Sequence, residues 1–584
     1  MKTEWNLDKL YHGLEDPSYK ADQEKYKEMS DRFNKIVSDL PDVPTIEEVE
    51  RVLLLQEQMT NCFMKMIFYV ELRQATDTEN GDLLAEMNHL IRLNSATIAS
   101  EAKATKVMAK LPDLDQSAEK SEIIKDYKFL LKKLKEQSEH MLSDAEEELY
   151  SRMDMTGGSA WGNLQNYLSS TVKVDYEGKQ ITLTDVRNLA YDADQKVRKS
   201  AYEAELKCYD KIADSVAYAL NNIKLQMNMI ADKRGYLSPL DMTLKQSNMK
   251  RETLDAMMTA IEEHLPKVRK YFLHKAKKLG YEGGLPWYEL FAPLGHDDRK
   301  YTVEEAKEVL TSTFEKFTPE MSSLMKEAFE NEWIDFFPKN GKSGGAFDLG
   351  VPMIKESRVL TNFDGTFTAI DTLAHELGHS FHDRQVQDNR PMNMDYPMQV
   401  AETASTFNET FLCSDYVKNA KNDDEKLALL EGLLKEQTQC IVDIYSRYLF
   451  ETAVFEQCED KFLMTEDLKK LMLDAQKKAY GEGVDENYMH PYMWVCKGHY
   501  YSTGLSFYNF PYAFGVLFAA GLYSLYLKEG GETFVPKYKA MLKATPTCTV
   551  EEAGALMEID LTDKKFWEDS LEMIEQNIEE FCNL

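Results

Sequence analysis

The stretch DTLAHELGHSFHDRQ, residues 371–385, places His375, His379 and His382, three of the protein's 11 histidines, within eight residues. Just before it, SRVLTNF (357–363) alternates like a short strand and DGT makes a turn, so the histidines follow a strand and a turn. Thr368 and Asp371 have capping-box spacing, which predicts a helix starting near residue 368 and running past residue 384. On that helix His375 and His379 are i and i+4, and both imidazoles project from one face as two ligands of a single zinc ion must. Glu376 lies beside the first of them, within reach of water at the metal, in the HExxH arrangement. A chance HExxH arises in roughly 2% of chains this long and this rich in histidine, so further marks are needed.

A hydrolytic zinc site takes a third protein ligand and keeps one position open. A metzincin would carry Gly at position 382 and His at position 385, but His382 and Gln385 stand there. The alternative is a carboxylate from a second helix downstream. PMQVAETASTFNETFL (397–412) reads as that helix, with Glu402 and Glu409 seven apart on one face. An antiparallel return brings Glu402 to the metal and leaves Glu409 to hold a ligand histidine from behind. Asp371, four residues before His375, either orients an imidazole or serves only as the capping carboxylate. His382 is expected on the same side as the other two histidines, lining or supporting the site.

The whole chain of 584 residues has a formal net charge of −31, which gives no general attraction to nucleic acid or to an anionic membrane surface. Its eight cysteines form no CxxC pair and read as reduced core residues. MKTEWNLDKLYHGLED, at the start, has no apolar signal segment, so the cytoplasm is expected. FPYAFGVLFAAGLYSLYL (510–527) carries no charge, yet its proline, glycines and tyrosines point to a buried helix rather than a membrane span. Nothing in the sequence sets an oligomeric state.

Most of the remainder is helical in pattern, notably 116–152 and 184–234, which lack Gly and Pro. Breaks are expected at MTGGSAWGN (155–163), at KVDYEGKQITL (173–183), a small hairpin about Glu-Gly, and at GYEGGLPWYELFAPLGHDD (280–298). The expected organisation is a helical N-terminal lobe over 1–190 and a zinc-peptidase domain over 191–584.

SRVLTNFDGTFTAIDTLAHELGHSFH followed by AETASTFNE resembles the active-site block of the oligoendopeptidase F family of zinc peptidases, relatives of thimet oligopeptidase. The resemblance continues through residues 190–244, 301–347 and 498–515, the last being GHYYSTGLSFYNFPYAFG, and so covers most of 190–530. It implies a mainly α fold with a zincin-type catalytic domain, a small β-sheet, and a deep channel beside the N-terminal lobe that admits short peptides. It also implies one zinc ion per chain on His375, His379 and Glu402, with Glu376 as general base and acid. His499, Tyr508 and Tyr512 would face the scissile carbonyl, and SRVLTNF would be the edge along which an extended peptide lies. Two positions depart from the family pattern. Asp348 follows Phe347 where Cys or Ser is common, and Pro511 stands where a polar residue is usual. A peptide-binding protein without catalysis and a zinc hydrolase of a non-peptide amide are the competing readings; an intact Glu376 weighs against the first.

Overall fold

Residues 2–295 and 299–584 are described by the structure, a computed structural model. Helix makes up 70% of it and strand 4%, so the mainly α expectation holds. The stretches read as long helices are divided by caps. Within 116–152, Ser121 accepts from Ile124 N–H and restarts the helix, and Ser143 does the same in a capping box with Glu146. Within 184–234, Asp194 caps the helix Gln195–Tyr209. Freedom from Gly and Pro therefore does not guarantee continuity, because serine and aspartate offer exposed N–H groups a local acceptor. The break expected over 155–163 shrinks to Met155–Gly157, since a helix already begins at Gly158, whose N–H is taken by Gln226 (2.8 Å).

The hairpin forms as read: β1 (Lys173–Tyr176) pairs antiparallel with β2 (Lys179–Thr182) about Glu177 and Gly178, both with positive φ. The segment 280–295 is irregular apart from a 3-10 turn at Trp287–Glu289; the last residues of that expected break, 296–298, lie outside the described residues.

Two hydrophobic cores are buried. One is built from Leu10 through Leu131 and reaches Val351; the other runs from Val174 to Phe581. Between them lies a three-stranded sheet of β3 (Ile334–Asp335), β4 (Phe347–Val351) and β5 (Glu356–Leu360), in the order β3-β5-β4. β5 is parallel to β3 and antiparallel to β4. SRVLTNF therefore supplies the central strand, not an edge. Both of its hydrogen-bonding sides are occupied, and β4 is the longer edge strand.

The histidine helix (Phe367–Val386) follows the sheet, and the return helix (Thr403–Lys418) packs along it. Asn408 Nδ2 donates to Ala374 O across the two helices (2.9 Å). At Gly378 they come so close that a Cβ would sit 2.6 Å from Ala404 O and from Ser405 Cα. The apolar segment 510–527 forms the core helix Phe510–Glu529, the one helix among the described residues long and apolar enough to cross a membrane. Two-thirds of that stretch is buried inside the fold. Pro511 occupies its first turn, where a missing N–H costs nothing, which accounts for that departure.

Gly378→Ala is expected to destabilise the protein by about 1–3 kcal/mol, because the clash is with backbone that cannot rotate away. The urea midpoint of the variant checks this; an unchanged midpoint would mean the two helices separate without cost.

Candidate active site

The helix Phe367–Val386 is capped by Thr366, whose hydroxyl accepts from Ala369 N–H (3.2 Å), because Asp364 and Gly365 complete the turn two residues before Thr368 of the expected Thr368–Asp371 pair. Asp371 is therefore not a cap. It lies in the second turn, accepts a weak hydrogen bond from Cys413 Sγ (3.6 Å), and is pushed well above the usual carboxylate range by burial and by the nearby Glu409.

His375 and His379 project side by side, ring centroids 5.0 Å apart. The next segment is not one helix. Met398–Ala401 is helical, Glu402 sits at the junction with φ −87° and ψ 8°, and the return helix begins at Thr403. That junction carries the Glu402 carboxylate to the histidines: its Oε2 lies 3.3 Å from His375 Nε2 and 3.3 Å from His379 Nε2. Ser405 Oγ donates to the same oxygen (2.8 Å). Burial opposes ionisation of Glu402, but its hydrogen bonds with the two imidazoles outweigh that and hold its carboxyl far below the ordinary range. Glu409 lies behind His375, 3.0 Å from Nδ1. A proton on Nδ1 donated to Glu409 leaves the Nε2 lone pair directed at the shared centre. Glu376 is 6% exposed, and burial raises its pKa despite the opposing pull of His375 and His379.

His382 is placed elsewhere. It is fully buried, Nε2 hydrogen-bonds Thr545 Oγ1 (2.8 Å) and Leu542 O (3.2 Å), and the ring stacks on Tyr396 at 4.0 Å. One turn further along the helix its side chain meets the C-terminal helices behind the site, so it braces the histidine helix and does not line the centre. Asp348, the other departure, turns inward as well. Ser380 Oγ donates to it (2.6 Å), and burial together with the facing Asp383 pushes it well above the usual carboxylate range.

His499, Tyr508 and Tyr512 come together as one aromatic group: His499 is 4.6 Å from Tyr508 and 5.9 Å from Tyr512, ring to ring. Burial, then Tyr508 and Glu402, push the Tyr512 phenol up to about 12, so it stays a hydrogen-bond donor beside the carboxylate. His499 Nδ1 faces Asn509 Oδ1 (3.0 Å), which also accepts from Arg447 (3.1 Å). Arg447 fixes which way the Asn509 amide points, and thereby the His499 tautomer.

Several supports were not visible in the sequence. Phe507, just before Tyr508, has φ 53°, a left-handed conformation costly for a bulky residue. Its N–H donates to Glu451 (3.1 Å), and Glu451 pairs with Lys224 (2.6 Å), both 1% exposed. Only the presence of Lys224 within an apolar helical run could have signalled this.

A helix with two histidines on one face, met by a carboxylate from the junction before the return helix and packed against a small mixed sheet, defines a zincin-type peptidase fold. Comparison with known proteins narrows the class. The model of peptidase family M3 matches residues 188–573, and that of Oligopeptidase F matches residues 112–173. Oligopeptidase PepF of Bacillus subtilis is 25% identical, over 99% of this chain and 87% of that protein. An oligoendopeptidase F homolog of Lactococcus lactis is 28% identical, over 79% of this chain and 77% of that protein. Oligoendopeptidase-F of Enterococcus faecium shares the fold with a TM-score of 0.69 at 19% identity, over 99% of each chain. A Chlamydophila abortus protein does so with a TM-score of 0.86 at 20% identity, over 100% and 98%. The chain belongs to peptidase family M3 and is a metalloendopeptidase, a hydrolase of peptide bonds.

Burial lowers the His382 pKa from 6.5 to about 3. Between those values the unfolded chain holds a proton that the folded protein does not, so stability falls as pH drops through that window and levels off below it. His382→Gln should therefore show a smaller loss of urea midpoint than the wild type between about pH 7 and about pH 5. Equal losses in the two proteins would assign the slope to other groups.

Proposed function

We propose that the protein is a zinc-dependent endopeptidase of short peptides, with one zinc ion held by His375, His379 and Glu402. The observation that carries this reading is the meeting of Glu402 Oε2 with both imidazole Nε2 atoms at 3.3 Å. Ligands bound to zinc at about 2.0–2.2 Å in a tetrahedron stand roughly 3.3–3.6 Å from one another, so the three donors fit the ion in number, element and separation. The ion supplies a Lewis acid that polarises the carbonyl and acidifies water.

The residues of the chain do the rest. Glu376, its pKa raised by burial, takes the proton from the attacking water and passes it to the leaving amine. Glu409 keeps the proton of His375 on Nδ1. Tyr508, with Tyr512 beside it, donates to the oxygen of the attacked carbonyl as negative charge develops there. His499 fits a different part of this task than the family resemblance suggested. With its Nδ1–H directed to Asn509, and its pKa lowered by burial and by Arg447 and Lys497, the neutral ring offers Nε2 as an acceptor, suited to a peptide N–H or a tyrosine hydroxyl. The edge strand β4, rather than β5, is the strand on which a peptide backbone can pair.

The separate cores support a two-lobed arrangement, a helical N-terminal lobe and a catalytic domain flanking the channel, with Val174, Leu183 and Val186 packed in the core of the latter although they precede residue 191. Eight free cysteines support residence in the cytoplasm.

Glu376→Gln should retain zinc and peptide binding while losing most turnover; near wild-type cleavage by this variant would remove Glu376 from the mechanism. Glu402→Ala should release zinc on dialysis and His382→Ala should keep a full equivalent, as read by metal analysis. The reverse pattern would overturn the ligand set. Tyr508→Phe should lower kcat on the order of 100-fold with little change in KM. An unchanged kcat would return Tyr508 to packing.

A further inference from the structure

Beside the turn that carries His499 lies a cavity of about 220 Å³ with an unusual charge balance. Its walls include Arg187, Arg198, Glu205 and Lys497. Arg198 is answered by the buried Glu289, with Nε to Oε2 at 2.9 Å. Arg187 is answered by Glu205 at 3.1 Å. Glu205 is ionised: burial opposes this, but His490 and Arg187 bring its pKa to about 2. Two arginines are thus neutralised by two carboxylates. Lys497 is left over. It is half-buried and has no carboxylate within ion-pair distance among the described residues, whereas the neighbouring Arg447 is held by Asp443 at 2.5 Å. Burial, with Arg447 adding to it, lowers the pKa of the Lys497 ammonium. A lysine drawn that far into a fold without a counter-charge is poised for an anion that arrives from outside.

The position of the cavity relates it to catalysis. Lys497 precedes the 3-10 turn Gly498–Tyr501, and His499 on that turn feels the lysine charge. Gln439, the first residue of a five-residue π-helical segment, lines the same space, and interruptions of this kind favour functional sites. The metal side of the site is acidic, with Glu376, Glu402 and Glu409 together, in a protein of net charge −31. A peptide carboxylate entering there is repelled unless a local cation receives it.

We propose that this cavity is a carboxylate-binding subsite of the substrate channel, in which Lys497 receives a carboxylate of the peptide, from its free C-terminus or from an acidic side chain. The proposal rests on the peptidase reading above and specifies which peptides that site prefers.

The test uses two pairs of twin peptides, one pair differing as C-terminal acid and amide, the other as internal Glu and Gln. Wild-type protein is expected to favour the charged member of one pair about tenfold in kcat/KM, the size of one charge-assisted contact. Which pair responds identifies the source of the carboxylate. In Lys497→Met and Lys497→Gln that preference should fall to near one, and Lys497→Arg should keep part of it. Binding of the same twins to Glu376→Gln protein, measured by calorimetry, reads the same ratio without turnover, so a failure of the hydrolytic mechanism is distinguishable from a failure of the subsite. The absence of preference in both wild-type pairs, or its persistence in both neutral variants, overturns the proposal.

Discussion

The contact on which everything else rests is the approach of one carboxylate oxygen to two imidazole nitrogens, 3.3 Å from each. It demands that a residue outside the histidine helix be delivered to a point between two of its side chains one turn apart. A residue in mid-helix would project from the return helix along a fixed direction. Glu402 instead stands at the junction of two helical segments, where its backbone is free of that geometry. The close approach at Gly378 then sets the distance between the helices, and Asn408 ties them together. A wider spacing would leave Glu402 short of both nitrogens.

Bringing acids to this place creates a second problem, which burial makes acute. Glu376 lies near Glu402 and Glu409, and Asp371 near Glu409, and low-dielectric surroundings penalise each additional charge. The fold meets this unevenly. Glu402 is kept ionised by the imidazoles, whereas Glu376 and Asp371 are shifted toward the protonated form. Burial likewise shifts the facing pair Asp348 and Asp383 toward the protonated form, Asp348 also through its partner's charge. A carboxylate whose affinity for protons has been raised thus lies next to one whose affinity has been lowered, and under the proposed function that division would separate proton transfer from metal holding.

Local patterns in the sequence revealed the parts that depend on local chemistry. The histidine helix was placed within a residue of its start, since a turn, a cap and a 3.6-residue period all lie inside twenty residues. The hairpin at Glu177-Gly178 was legible for the same reason, whereas Glu402 and Glu409 both reach His375 without sharing one helix, because Glu402 stands at the junction before it. What escaped depends on partners distant in sequence. Strand order cannot be read from one strand, so β5 passed for an edge. His382 shares a face with His379 on a helical wheel, but whether a side chain one turn on meets a cleft or a wall depends on Leu542 and Thr545, some 160 residues away. The helical N-terminal stretches were joined across serine and aspartate caps because their apolar period hides a change of axis.

The opposite side of the site uses a different device. Phe507 in a left-handed conformation costs on the order of 1–2 kcal/mol, and a lysine and a glutamate at 1% exposure cost several more in lost hydration. Apolar residues packed in the same volume would hold the loop with less penalty. They could not hold it in one orientation, because dispersion contacts have no preferred direction, whereas the Glu451 carboxylate accepts the Phe507 N–H along a definite line. That bond fixes the chain just before Tyr508, and Arg447 through Asn509 fixes the ring of His499. The histidine side of the site is therefore held by close helix packing and the aromatic side by directed polar bonds. Under the proposed function this suits two tasks: keeping three donor atoms at a set separation, and aiming a hydroxyl at charge that exists only during the reaction.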